Sequence, residues 1–166
     1  MAKGLLNNLK QIKTILLKIA IFVIAVTIGV LSVFWLPWQA NILVNMYPEF
    51  DYLEYPLLVG IYLSTIPFFF ALYHGYQLLI YIDKNMAFSD LSVKSLKRIK
   101  YCGIAIAILY VIGFIILFTE DAEQPGILLL GLVIMFASVV IAVFSAVLQN
   151  LLKSALEIKK ENDLTV

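Results

Sequence analysis

Four stretches of this chain, Ile19–Trp38, Tyr55–Ile82, Tyr101–Phe118 and Gly126–Leu152, contain no Asp, Glu, Lys or Arg. About 20 apolar residues at 1.5 Å each cover the roughly 30 Å of bilayer hydrocarbon. A backbone in lipid must satisfy its own hydrogen bonds, so runs of this length fold as helices. The expected fold is an all-α integral membrane four-helix bundle, with residues 1–166 forming a single four-span domain. At 63% hydrophobic residues the chain exceeds the roughly one half found in soluble domains. The first stretch has the basic flank and apolar middle of a signal peptide. It is long, however, and ends in Trp35-Leu36-Pro37-Trp38 without a small-residue cleavage site, so it reads as a retained span.

The charges give the spans a direction. All twelve Lys and Arg residues fall in three clusters: Lys3, Lys10, Lys13 and Lys18; then Lys84, Lys94, Lys97, Arg98 and Lys100; then Lys153, Lys159 and Lys160. The alternate gaps, Gln39–Glu54 and Thr119–Pro125, hold Glu49, Asp51, Glu54, Glu120, Asp121 and Glu123 and no cation. Lys and Arg beside a span resist translocation, which predicts both termini in the cytoplasm of a cell membrane. The net charge of +1 is therefore a sum over two unlike faces, and it gives no ground for direct nucleic-acid binding.

Between the spans, Met1–Lys18 is expected as an amphipathic lead-in on the inner leaflet, with Leu5, Leu9, Ile12 and Leu16 at helical spacing. Gln39–Glu54 has room for a turn or a short surface helix. In the link 83–100, Asp83-Lys84-Asn85 reads as a turn and Ser89 or Asp90 as a helix cap. A basic amphipathic helix follows, with Leu91, Leu96 and Ile99 toward lipid and Lys94, Lys97, Arg98 and Lys100 toward anionic headgroups. The second span, at 28 residues, overshoots the hydrocarbon and must tilt or bend. Pro67 is its candidate hinge, with the Ser64 and Thr65 hydroxyls placed to satisfy freed carbonyls.

A short repeat runs through the chain. Residues 9–21 and 96–108 share seven of thirteen positions, including two Leu-Lys-x-Ile-Lys boxes, and Asp90-Leu91-Ser92-Val93 is echoed by Asp163-Leu164-Thr165-Val166. A true duplication would give two parallel helical hairpins about an axis along the membrane normal.

Few residues point to chemistry. His74, the one histidine, lies at membrane depth with Gln77 and Tyr81 on the same helix face, a candidate intramembrane polar site for proton relay or ligand contact. A lone neutral imidazole bonded across a helix pair is its structural alternative. One His and one Cys cannot build a zinc site without carboxylates, and no phosphate loop or nucleophile elbow is present, so neither an enzyme nor a cofactor is expected. Cys102 reads as an apolar filler. Gly131, Ser138, Ala142 and Ser145 form a small-residue stripe; with Ala25/Gly29, Gly60/Ser64 and Ala71/Gly75 it fits either a tight bundle or a homo-oligomer. The acidic loops could attract a cation or a cationic peptide, although topology alone leaves that side acidic.

The chain resembles a family of bacterial membrane proteins catalogued as domain of unknown function 2975. The resemblance rests on Phe34-Trp35-Leu36-Pro37-Trp38, Pro48-Glu49-Phe50, Ile66 to Tyr73, Ile82 to Ser89, Leu96 to Cys102 and Glu161 to Val166. It implies a small four-span protein, often found beside a helix-turn-helix regulator, and it supplies no catalytic residues. The more specific polar motifs sit on the expected cytoplasmic side. Asp90, Leu91, Ser92, Val93, Lys97, Arg98, Asp163, Leu164, Thr165 and Val166 are accordingly the candidate partner-binding residues. A small transporter or channel and an immunity or envelope-stress protein that binds a cationic peptide are the alternatives.

Overall fold

The computed structural model describes residues 1–165; Val166, and with it one candidate partner-binding position, lies outside them. Among the described residues there are helices and no strands: α1 (Ala2–Val30), a π-helical turn (Leu31–Trp35), α2 (Leu36–Met46), a 3-10 segment (Pro48–Leu53), α3 (Glu54–Asp83), α4 (Asp90–Thr119) and α5 (Pro125–Leu164). Four helical segments are long and apolar enough to cross a membrane, the first being Ala2–Met46 taken as one. Phe22, Phe34, Phe136 and Phe144 stand exposed on the outer faces, as suits side chains solvated by lipid.

Two expected breaks are absent. The basic lead-in does not part from the first span, because no proline interrupts Ala2–Val30 and the helix continues through Lys18. Likewise the basic segment Asp90–Lys100 is the start of α4 rather than a separate surface helix. Ser89 is the cap, its hydroxyl accepting from the Ser92 amide at 3.3 Å. Leu96 is not turned to lipid but buried, and Leu91 is exposed as expected. The segment Gln39–Glu54 is also more ordered than a loop, since α2 runs to Met46 before the 3-10 turns.

The π turn has a local cause. The Leu36 amide donates five residues back to Leu31, and Pro37 has no amide to donate to Ser32. The Ser32 carbonyl is thus left by both backbone registers, and the Tyr62 hydroxyl of α3 donates to it at 2.9 Å. Pro67 behaves differently, because α3 continues through it. The neighbouring hydroxyls bond the carbonyls of Ile61 and Tyr62, not that of Leu63, four residues before the proline.

Both sharp turns close with a residue in the left-handed region. Asn85 (φ 57°) ends α3, with the Met86 amide on the Tyr81 carbonyl at 2.7 Å, and Asp121 (φ 51°) ends α4, with the Ala122 amide on the Leu117 carbonyl at 3.0 Å. The helices pack in chain order, α1 on α3, α3 on α4 and α4 on α5. No interface comparable to α3–α4 joins α1 to α5 among the described residues, so the two halves are packed unequally. The echoed tetrapeptides also differ in role: Asp90–Val93 opens a helix, with Ser92 fully buried, whereas Asp163–Thr165 closes one and is exposed.

The tightest contact is between α4 and α5. A Cβ added to Gly103 would lie 2.8 Å from the Ser138 carbonyl oxygen and 3.1 Å from the Ala142 Cβ, and one added to Gly131 would lie 2.9 Å from the Phe114 ring. The small-residue stripe thus serves packing within the chain.

Candidate functional site

Up-and-down connectivity gathers all the basic clusters at one end and the six loop carboxylates at the other. At the basic end polar contacts tie the helices in two pairs, α1 to α3 and α5 to α4. Lys18 of α1 pairs with Asp83 at the end of α3, Lys10 donates to the Asn85 side chain at 2.8 Å, and Lys160 of α5 stands 3.6 Å from Asp90. The Lys18 ammonium holds the Asp83 carboxyl below the usual aspartate range. Beyond these ties, α1 carries exposed Leu5, Leu6, Leu9 and Ile12, and α5 carries exposed Ile158 and Leu164. Lys97 and Arg98 are exposed on α4, Val93 is half-buried, and Asp163 is exposed on the last turn of α5. Asp90 and Asp163 therefore flank an irregular basic and apolar surface, while Ser92 is engaged inside, its hydroxyl donating to the Met86 carbonyl at 3.1 Å.

The intramembrane trio does not form a relay. His74 is 1% exposed, and neither ring nitrogen has a hydrogen-bond partner among the described residues. Gln77 instead donates to the Tyr73 hydroxyl at 2.7 Å, and Tyr81 is half-buried one turn further on. The imidazole is packed by the ring edges of Phe70 and Tyr73, with centroids 5.2 and 5.4 Å away. It acts as an aromatic filler carrying two unmet polar atoms, each of which costs about 1–3 kcal/mol when buried. His74→Phe is accordingly expected to keep or raise the melting temperature of the purified protein; a marked fall would show that the nitrogens matter.

The acidic end holds a feature that the sequence reading missed. The 3-10 segment folds over the α4–α5 turn, burying Leu53 against Leu117 and Ala122. Tyr52 donates to the Glu120 carboxylate at 2.5 Å, and this bond raises the phenol's pKa above its ordinary value. Beside this cap lies a cavity of about 490 Å³ bounded by α2, the start of α3 and the start of α5. Its available signal was the spacing of Leu36, Ala40, Leu43, Val44 and Tyr47, a helical stripe that runs from the first apolar stretch into a segment given room for only a turn or a short surface helix. No group of three or more His, Cys, Asp or Glu residues able to hold a metal occurs among the described residues.

A family model described as "Protein of unknown function (DUF2975)" matches residues 38–166. The chain belongs to the DUF2975 family. It is also 50% identical over 160 residues to the "Uncharacterized membrane protein YoaS" of Bacillus subtilis (strain 168), covering 95% of this chain and 100% of that protein. No solved structure matches. The DUF2975 match takes in α3, α4, α5 and most of α2. The Lys160–Asp90 contact and the cap at the acidic end thus fall within the family region, whereas Lys10 and Lys18 precede it.

Proposed function

We propose that this DUF2975 protein is an interaction protein of the cell membrane whose basic end faces the cytoplasm and binds a regulatory protein partner there. The observation that carries the reading is the projection of α1, α4 and α5 past their apolar stretches at the basic end. Residues 2–17 of α1 precede the Lys18–Asp83 contact and extend about 24 Å beyond it at 1.5 Å per residue. α5 is 40 residues long, about 60 Å, twice what the hydrocarbon requires. These extensions offer apolar side chains and cations with the exposed Asp90 and Asp163 carboxylates among them, a mixed surface suited to a partner that has an apolar ridge and brings cations to those two carboxylates. The partner class implied by the family resemblance is a small helix-turn-helix regulator.

Asp90 and Asp163 supply the discriminating test. The Asp90–Lys160 pair is 3.6 Å long with side chains 72% and 66% exposed, so it contributes little to folding. In cells treated with a crosslinker, the Asp90→Ala/Asp163→Ala variant should reach the membrane at the normal level yet recover at least tenfold less of the protein crosslinked to the parent chain. Equal recovery by both would overturn the reading, as would a basic end found outside the cell by cysteine labelling.

A further inference from the structure

The cavity at the acidic end is a built space. Its wall is aimed by the π turn, since one extra residue in a helical turn rotates all that follows by about 100°. Its floor adjoins the buried Leu53–Leu117–Ala122 cluster. Apolar side chains line most of it, and the half-buried Gln39, Glu54 and Gln124 contribute the polar groups. That combination of an apolar volume between about 300 and 1,000 Å³ with a few convergent polar groups is the form of a small-molecule site.

We propose that this cavity binds a single-chain amphiphile with a protonated amine head, its chain lying among Leu43, Leu57 and Leu130 and its ammonium at Glu54. Charge selects the head. Segments Gln39–Glu54 and Thr119–Pro125 hold six carboxylates and no Lys or Arg, so Glu54 has no cationic partner in the loops around it. An anionic or phosphate-bearing amphiphile meets only like charge there. A neutral chain fills the apolar wall but leaves Glu54 without a counter-charge. Position selects the amphiphile, because Trp35 and Tyr47 line the cavity and Trp38, Tyr52 and Tyr55 follow close by in sequence, aromatic residues of the kind that mark a membrane–water boundary. The site goes beyond the docking reading above, and neither depends on the other.

The test uses the full chain in phosphatidylcholine nanodiscs with Trp38→Phe, which leaves Trp35 in the cavity wall as the sole tryptophan. The probes are 12-bromododecylammonium and 12-bromododecanol, whose bromine quenches tryptophan. The amine should quench saturably and be displaced by plain dodecylammonium, with the alcohol binding at least about tenfold more weakly, as loss of a charge-assisted hydrogen bond requires. Glu54→Gln should bring the amine to the level of the alcohol, Ala40→Phe should remove saturable binding of both, and Glu49→Gln, outside the cavity, should change neither. Should Ala40→Phe fail to insert, Glu54→Gln decides alone. Quenching that only tracks partition into the bilayer, equal binding of amine and alcohol, or full amine preference in Glu54→Gln would each overturn the proposal.

Discussion

Replacing Gly103 by leucine should dislodge α5 from α4 and leave the purified protein melting well below the parent. The obstacle is backbone: an added Cβ lies 2.8 Å from the Ser138 carbonyl oxygen, so no side-chain rotation relieves it and one helix must move. Overpacking a filled contact costs about 1–3 kcal/mol and more where backbone is displaced. The cost spreads along the seam, because Gly131 meets Phe114 two turns from Ser138 on the same helix. Gly113 is the internal control. It lies ten residues further along α4 with nothing within 4 Å of its added Cβ. Gly113→Leu should be neutral or gain up to about 1 kcal/mol of helix propensity. Thermal unfolding in detergent, followed by size-exclusion elution, separates the two outcomes; equal melting of both variants would refute the close approach.

That contrast also shows which parts of the molecule the sequence could reveal. The four long apolar helices were legible because their composition answers to the bilayer, not to neighbours. A cap at Ser89 or Asp90, which the structure resolves to Ser89, and a turn closing at Asn85 were legible because both are local, decided by side chains within a few residues. The packed faces were not. Lipid is as apolar as a protein interior, so Leu96, buried, and Leu91, exposed, look alike in hydropathy. Residue size is the remaining signal, and it marked Gly131, Ser138, Ala142 and Ser145 on α5 but not their partner Gly103 on α4. The π turn escaped for a different reason. Pro37 announced a missing donor, yet the register that resulted depends on Tyr62, 25 residues away in sequence and on another helix. The cavity depends in turn on that register, so the stripe from Leu36 to Tyr47 announces one helical wall but not the space it encloses.

Charge reversal at Asp83 should free the basic end of the first helix, the second large effect. α1 packs along α3 through light contacts: an added Cβ at Gly29 would stand 3.9 Å from Phe69, and one at Gly75 would stand 3.8 Å from Ile21. At the basic end the Lys18–Asp83 pair and the Lys10–Asn85 hydrogen bond complete the attachment. Asp83 is the last residue of α3, where the helix dipole disfavours a carboxylate and favours a cation. Asp83→Lys therefore suits α3 itself while opposing Lys18, so its consequence falls on α1. Amides of residues 5–17 should exchange with deuterium at least about tenfold faster, and the swapped pair Lys18→Asp/Asp83→Lys should restore protection. The pH dependence has a fixed sign. Because the folded state lowers the Asp83 pKa, the attachment is fully present above the usual aspartate range and is lost as pH falls through the depressed value. Protection, corrected for intrinsic exchange, should thus hold from neutral pH down to the aspartate range and drop only below it. In Asp83→Asn the acid transition should disappear. A helix whose protection ignored both Asp83→Lys and acid would be held by its lipid-facing surface alone, and the ion pair would then be an incidental contact.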